Sequence, residues 1–468
     1  MQHNPNQIWN ASARLTAGSL GLATFLAQFD MTSVVVAMPL IGADLGIRDA
    51  AIAWIIDAYS IAFTVTLLIA GALADRFGRR RSLLIGNAWF LLASLCCGSA
   101  WDSSTFLASR ALQGGGAAFL VTGAISSIAT AFPDAPARAR AFGLVGVISG
   151  VAMALGPSLG GIISTWLGWQ WIFLVNLPIC VLVAFAVPRF VPESRGDRGK
   201  PLDWPGVVML TLALGLVIEA LLQARHSLTR LVIGLAIGMA LLVLFTLRQK
   251  NQDRPMLDPA VFASRAMMGV AALIAALSIG YWAVLVYLPL FLHTAYGWTL
   301  QEAGIGLLAA TLPMLIIPTL SGRIAARLGW RWLFAMALTT MATGGLALGV
   351  AAVTHMTSAV VWVFGGMVIL GTGAALANPQ LSGAVLALAP PEASGMASAI
   401  AVIARQGGFA IGVAALGGLL PAGGVAAEFV WLFCGAAVAS VGGALACYLL
   451  PPASRSRIRA VNSVKRTT

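Results

Sequence analysis

Of the 468 residues, 59% are hydrophobic and only 9% charged, and the mean hydropathy is +0.90. A water-soluble chain of this length needs far more charge to cover its surface, so an aqueous globular fold is excluded and a lipid-embedded one expected. The net charge of +12 does not point to nucleic acid, because the bases sit in short connectors rather than on one helical face or in a separate domain.

Apolar stretches of about 20 residues, each long enough to cross ~30 Å of hydrocarbon as a helix, recur from end to end. They predict an all-α polytopic membrane protein with fourteen spans, near 14–42, 51–74, 82–100, 105–131, 139–165, 170–191, 205–224, 230–248, 266–292, 303–322, 332–353, 359–388, 395–418 and 427–450. The first stretch exceeds the apolar core of a cleavable signal and lacks a clear cleavage site.

Span 1 holds Asp30 near its middle, and span 2 holds Asp57 and Tyr59. Asp57 is placed roughly 10 Å, or about two turns, from the outer end of its span. A carboxylate inside a span can accept a proton or a positive substrate but not both stably, which is exchange chemistry. The bland alternatives are a helix-packing hydrogen bond for Asp30 and a near-surface polar group for Asp57. Between spans 2 and 3 runs Gly71–Arg81. Here Ala74 is expected to end the span, with Asp75, Arg76, Gly78, Arg79 and Arg80 in a tight turn. Gly78 permits the turn, Asp75 can face a helix N-terminus, and the arginines anchor at the lipid surface. The loop would serve topology alone if it did nothing else.

Span 4 carries Arg110 several residues inside, followed by Gln113-Gly114. An unpaired guanidinium there is costly, so Arg110 is expected to face protein or water, unless it snorkels. Span 5 contains Gly143 and Gly156-Pro157-Ser158-Leu159-Gly160-Gly161, a proline-bent helix with a smooth face suited to close packing. Span 6 opens on Trp169-Gln170-Trp171-Ile172-Phe173, with Asn176 and Pro178 following. Glu219 lies near the end of span 7 and either joins the exchange or snorkels. Beyond it, Trp282, Tyr287 and Phe291 in span 9 can line an amphipathic pocket together with Tyr59, or can simply pack.

A repeat is legible. GALADRFGRRR at 71–81 aligns with GRIAARLGWRW at 322–332, and VVVAMPL at 34–40 with VLVYLPL at 284–290. The shared offset of about 250 residues divides the chain. The expected parts are an N-terminus (1–13), a six-helix bundle (14–191), a linker (192–204), two inserted helices (205–248), a second linker (249–265), a second six-helix bundle (266–450) and a basic tail (451–468). Nearly all arginines and lysines fall in one alternate set of connectors with both ends of the chain. Arg48, Arg225 and Arg230 are the bases on the other side. By the positive-inside rule both termini are cytoplasmic.

These strings closely resemble the major facilitator superfamily. The Gly71–Arg81 string resembles its loop between the second and third spans, which in that family latches the cytoplasmic side. The second copy has Ala326 in place of Asp75, so its latch role is not implied. Arg110 and Gln113-Gly114 resemble the fourth-span motif, whose arginine is implicated in proton transfer. Gly156–Gly161 resembles the fifth-span signature of antiporters, with Gly143 fitting the longer pattern and Ala152 departing from it. Phe29-Asp30-Met31-Thr32 running to Met38-Pro39, the span 6 hallmarks, Leu202-Asp203-Trp204 and Arg405-Gln406-Gly407-Gly408 resemble the fourteen-span drug:proton antiporter branch. Trp54–Tyr59 looks like the second span of its quaternary-ammonium exporters, although the connector near Pro421–Ala426 is short where those relatives carry a long hairpin.

The resemblance implies two six-helix bundles plus two inserted helices. It implies export of cationic or amphipathic drugs against protons across a bacterial inner membrane, by a monomer driven by the proton gradient without a cofactor. An exporter of one endogenous metabolite or antibiotic is the near alternative, and a proton symporter a more distant one. An enzyme is not expected, since no nucleotide loop, paired histidine ligands or serine elbow is present. The cysteines Cys96, Cys97, Cys180, Cys434 and Cys447 all fall in apolar stretches and the four histidines are scattered, so neither a disulfide frame nor a metal site is expected.

Overall fold

The computed structural model describes residues 9–47, 52, 54–195, 203–222, 227–252, 264–354, 359–388, 394–420 and 426–450. The middle of each linker, most of the short connector near Pro421 and the basic tail lie outside these residues. All regular structure among them is helical. In chain order the helices are α1 (Ala11–Asp44), α2 (Trp54–Phe77), α3 (Arg79–Gly98), α4 (Ser103–Ala131), α5 (Ala135–Trp166), α6 (Gln170–Leu174), α7 (Asn176–Phe190), α8 (Trp204–Leu222), α9 (Leu228–Lys250) and α10 (Arg265–Leu277). A π turn (Ser278–Ala283) leads into α11 (Val284–Tyr296), then α12 (Leu300–Gly306), α13 (Leu308–Thr311), α14 (Pro313–Ile316), α15 (Pro318–Leu328), α16 (Trp330–Val353), α17 (Ala359–Leu388), α18 (Ser394–Gly418) and α19 (Phe429–Ala446).

Ten of these segments are long and apolar enough to cross a membrane, or eleven when the segment bent by 44° between Trp54–Leu67 and Ile69–Phe77 counts as one span. The fourteen-span reading therefore also needs shorter apolar helices, Trp204–Ala220 and Gln301–Ile316, and α18. Connector residues start the helices by accepting otherwise orphaned N–H groups. Asn10 accepts from Ala13 N, Asp102 from Thr105 N and Ser227 from Arg230 N. Thr299 and Glu302 form a reciprocal capping box on α12. The tenth predicted span is a chain of short helices, because Pro313 and Pro318 remove backbone donors within it.

By contacts the chain forms two compact units. The first comprises residues 1–256, 285–315 and 423–426. Within it α1 is central, packed along α5 and against α4 and α7, while α3 and α2 both lie along α4. The inserted pair α8 and α9 forms a hairpin on α2, where Thr211 donates to the Val65 carbonyl at 3.2 Å. The outer surface of α9 exposes Val232, Ile233, Ile237, Val243, Leu244 and Leu247. Such a helix is stable where hydrocarbon is the solvent.

In the second unit α16 packs along α17 and α19, and α10 against α18. Small residues set those distances. A Cβ on Gly344 would sit 2.7 Å from Leu370 Cα, and one on Gly408 would sit 2.6 Å from Ala275 Cα.

Candidate functional site

Asp30 lies on the buried side of α1 and is fully inaccessible, as are Arg110, Gln113, Asn176 and Ser94. The helices around α1 deliver these side chains to it. From α4, Arg110 donates from Nη1 to Asp30 Oδ2 at 2.6 Å and to Gln113 Oε1 at 2.6 Å, and from Nε to the Ile55 carbonyl at 3.0 Å. Gln113, one turn further on, donates from Nε2 to Asp30 Oδ1 and to Ser94 Oγ, both at 2.8 Å. From α7, Asn176 donates from Nδ2 to Asp30 Oδ1 at 2.9 Å. The carboxylate thus receives three donors and a full counter-charge.

Local sequence explains how these groups arrive. Gly114 lets α4 approach α2, since a Cβ there would lie within 3.0 Å of the Tyr59 Cα. Pro178 offers no N–H to the preceding turn, so the sixth span breaks at Val175 and begins again at Asn176. The aromatic run ahead of the break packs edge to face. Phe106 lies 5.6 Å from Trp169 and 5.5 Å from Phe173, and Trp169 Nε1 donates to Asp44 Oδ2 at 2.8 Å. The Arg110 guanidinium lies 4.5 Å from the Tyr59 ring centre and 5.6 Å from that of Phe173, so its faces are covered by aromatic rings. A guanidinium this dry is tolerable only because it is paired and stacked.

Asp57 is 3% exposed, and α2 begins at Trp54, so the acid sits in the first turn rather than two turns in. Tyr59, 1% exposed, donates its hydroxyl to the Ala27 carbonyl at 3.2 Å. Glu219 is half-buried in the last turn of α8, apart from this network. Of the other aromatics, Trp282 stands against Tyr281 at 4.9 Å in the second unit. Phe291 packs edge-on to Tyr296 at 5.9 Å, and Tyr287 is half-buried.

The 71–81 loop is tighter than its sequence predicts. Helix α2 continues through Asp75 and Arg76 to Phe77, and α3 starts at Arg79, leaving Gly78 alone to turn the chain at φ 119°. Only glycine adopts that value without strain. Asp75 does not cap α3. It pairs instead with Arg79 at 2.9 Å, one turn along, and Arg79 also donates to the Ser126 carbonyl at 3.2 Å. The α3 N-terminus is taken by Glu193, whose Oε1 accepts from Arg80 N at 3.2 Å and Ser194 N at 3.1 Å. A Cβ on Gly78 would come within 2.7 Å of that carboxylate. Glu193 went unrecognised in sequence because it reads as ordinary linker polarity.

The fifth-span stretch presses α5 onto α1. A Cβ on Gly156 would collide with Thr32 Oγ1, and one on Gly160 with the Ser33 carbonyl. Ser158 Oγ donates to the Gly304 carbonyl at 2.6 Å, and a Cβ on Gly304 would lie 3.0 Å from the Pro157 carbonyl and 3.4 Å from Gly161 Cα. Gly143, in contrast, has open space around it. Near the inserted hairpin, Asp203 accepts from Arg248 Nη2 at 2.9 Å, Gln249 Nε2 at 2.6 Å and Gly206 N at 3.0 Å. Partial burial works against the charge, yet these donors hold its carboxyl below the usual range. Among the described residues no group of three or more His, Cys, Asp or Glu could hold a metal ion.

The sequence model of the Major Facilitator Superfamily matches residues 20–413 and 270–467. The chain is 31% identical to the "Multidrug resistance protein Stp" of Mycobacterium tuberculosis, over 88% of this chain and 77% of that protein. It is 33% identical to the "Methyl viologen resistance protein SmvA" of Salmonella typhimurium, covering 87% and 82%. It is 31% identical to the "Cephamycin export protein CmcT" of Amycolatopsis lactamdurans, covering 84% and 82%. Among solved structures, a POT family transporter in complex with 5-aminolevulinic acid superposes with a TM-score of 0.68 at 15% identity, covering 91% of this chain and 94% of that one. That likeness is one of fold.

Proposed function

The chain belongs to the Major Facilitator Superfamily, and from that premise we propose that it is a proton-coupled antiporter exporting cationic or amphipathic drugs by alternating access. The observation that carries this reading is the dry carboxylate of Asp30, paired with Arg110 and held by Gln113 and Asn176. A charge so costly to bury is kept where it does chemistry. Asp30 is the exchange site, taking either a proton or a substrate cation, and Arg110 neutralises it when neither is bound. Asp57 is the second acid for substrates with more than one positive charge, and Glu219 has a weaker claim. Tyr59, Tyr287 and Phe291 of the first unit are candidates to supply aromatic surface for flat cations, and Trp282 of the second unit is a separate one.

In this proposal Gly71, Asp75, Arg76, Gly78, Arg79 and Arg80 form the cytoplasmic gating loop. Gly156, Pro157, Gly160 and Gly161 form the tight seam that suits export, with Gly143 at its edge. The arrangement is fourteen spans as six, two and six in a bacterial inner membrane, both termini cytoplasmic, acting as a monomer without cofactor. The resistance proteins among the relatives support drugs as substrates. A second reading, export of one antibiotic made by the same cell, is favoured by the likeness to the cephamycin exporter.

Everted vesicles decide between coupled export and its rivals. Fluorescent cations should be taken up when a pH gradient is imposed and released when it is collapsed. Asp30→Asn should keep binding neutral ligands and lose gradient-driven export, because the amide resembles the protonated acid yet releases no proton. Full gradient-driven transport by that variant would remove Asp30 from the coupling role.

A further inference from the structure

The network around Asp30 leaves two buried polar atoms without a partner among the described residues: Nη2 of Arg110 and Oδ1 of Asn176. An orphaned buried acceptor is expensive, and a leucine of similar shape would avoid the expense. The two amides at Asp30 differ in a telling way. Gln113 is used at both ends, donating to Asp30 and Ser94 while accepting from Arg110 and, at 3.6 Å, from Cys97 Sγ. It cannot turn over without breaking these bonds. Asn176 makes a single contact, Nδ2 to Asp30 Oδ1 at 2.9 Å, and its other end is idle.

An ionised carboxylate only accepts hydrogen bonds, whereas a protonated one must also donate. A carboxamide presents a donor and an acceptor related by a half-turn about its last torsion, and that torsion is soft. We propose that Asn176 is a positioning residue for exchange: its Nδ2 donates to ionised Asp30, and after protonation its carboxamide turns over so that Oδ1 accepts the carboxyl proton. Asp30 alone binds and releases the proton, and Asn176 neither gains nor loses one. The device gives the acid a partner in either charge state, with one end of the carboxamide idle in each. It rests on the reading of Asp30 as the exchange carboxylate.

The ionisable side chains facing Asp30 are Arg110 on α4, Tyr59 on α2, Cys97 on α3 and Cys180 on α7. Residues 141–166 of α5 and all of α6 contain none. Glu302 of α12 is engaged in its exposed capping box.

The test uses full-length protein in lipid nanodiscs, with binding of N-methyl-4-phenylpyridinium followed against pH. Asn176→Leu removes a donor from the ionised state, so the midpoint should move to higher pH by about one unit, a tenfold change in proton affinity. Asn176→Asp should move it further in the same direction, because a second acid beside the first opposes ionisation. In an Asp30→Asn background Asn176→Leu should not move what pH dependence remains. Difference infrared spectra between acid and neutral pH should show a side-chain amide carbonyl shift that disappears in Asn176→Leu.

A residue that only packs would lower binding at every pH and leave the midpoint in place. An unmoved midpoint or an absent carbonyl shift overturns the proposal. Should the leucine variant not fold, Asn176→Ser, with its shorter reach, must give the same direction of shift or the proposal falls. Undiminished pH dependence in Asp30→Asn alone would instead sink the reading of Asp30, a result that needs no Asn176 variant to detect.

Discussion

Arg110 is the side chain on which the dry site depends most, and Arg110→Leu is the perturbation that exposes this. The substitution removes the only full positive charge that contacts Asp30 among the described residues and strips donors from Asp30 Oδ2, Gln113 Oε1 and the Ile55 carbonyl. Removing one partner of a buried pair costs about 3–5 kcal/mol, because the other charge stays behind uncompensated. Asp30→Asn likewise leaves the buried Arg110 charge uncompensated, but its amide oxygen can still accept from Nη1, so its cost falls at the low end of that range, about 3 kcal/mol. Combining Asp30→Asn with Arg110→Leu leaves no buried charge, so the double variant should be more stable than the sum of the singles predicts by about 2 kcal/mol. Denaturant unfolding of the purified proteins in lipid–detergent micelles measures the cycle. Additivity within about 0.5 kcal/mol would refute the argument, because independent sites add to that degree and coupled ones do not.

Asp57→Asn should impair export of methyl viologen, which carries two positive charges, more than that of the singly charged N-methyl-4-phenylpyridinium, while Asp30→Asn impairs both. Resistance measurements with the pair check it, and equal loss for the two compounds would make Asp57 a general structural or coupling group. Gly160→Ala should abolish export, since its Cβ runs into the Ser33 carbonyl, whereas Gly143→Ala should be nearly silent. Equal dye efflux by the two variants would separate the glycine seam from function. The Asp203 contact to Arg248 should be constant from about pH 5 to 8, since the unfolded carboxylate titrates near 3.9. With its folded value lower still, stability from this contact is full above that pH and is lost only as pH falls through the folded value. Hydrogen exchange at the start of α8 should follow that course, and Asp203→Asn should show the loosened state at every pH.

Much of this was legible because membrane helices announce themselves by length and apolarity, and because a charge inside a span has few innocent explanations. Asp30, Arg110 and Asp57 stood out for that reason, and Gly156 and Gly160 by their spacing beside Pro157. What sequence could not supply was pairing. Nothing in the chain says that Arg110 on α4 reaches Asp30 rather than Asp57, or that Asn176 arrives from α7 at a break set by Pro178. The sequence marks the loop at 71–81 but implies a wider turn than the single residue that forms it. A single glycine at positive φ suffices when Glu193, 115 residues from Gly78, satisfies the next helix. Such a cap is long-range, and local rules for helix starts look only a few residues away.

The repeat makes the distribution of chemistry sharper than either half alone. Aligning Val34–Leu40 with Val284–Leu290 places Gly280 at the position corresponding to Asp30. Gly280 lies within the π turn, and a Cβ there would run into Ser440 Oγ of α19. Where the first half keeps an acid inside a polar network, the second keeps bare backbone against a neighbouring helix. Its remaining acids are Glu302, Glu392 and Glu428, all at or beside the ends of predicted spans. A π turn costs regular hydrogen bonding and persists where it serves a purpose. Among the described residues the buried acids, Asp30 and Asp57, thus both belong to the first half.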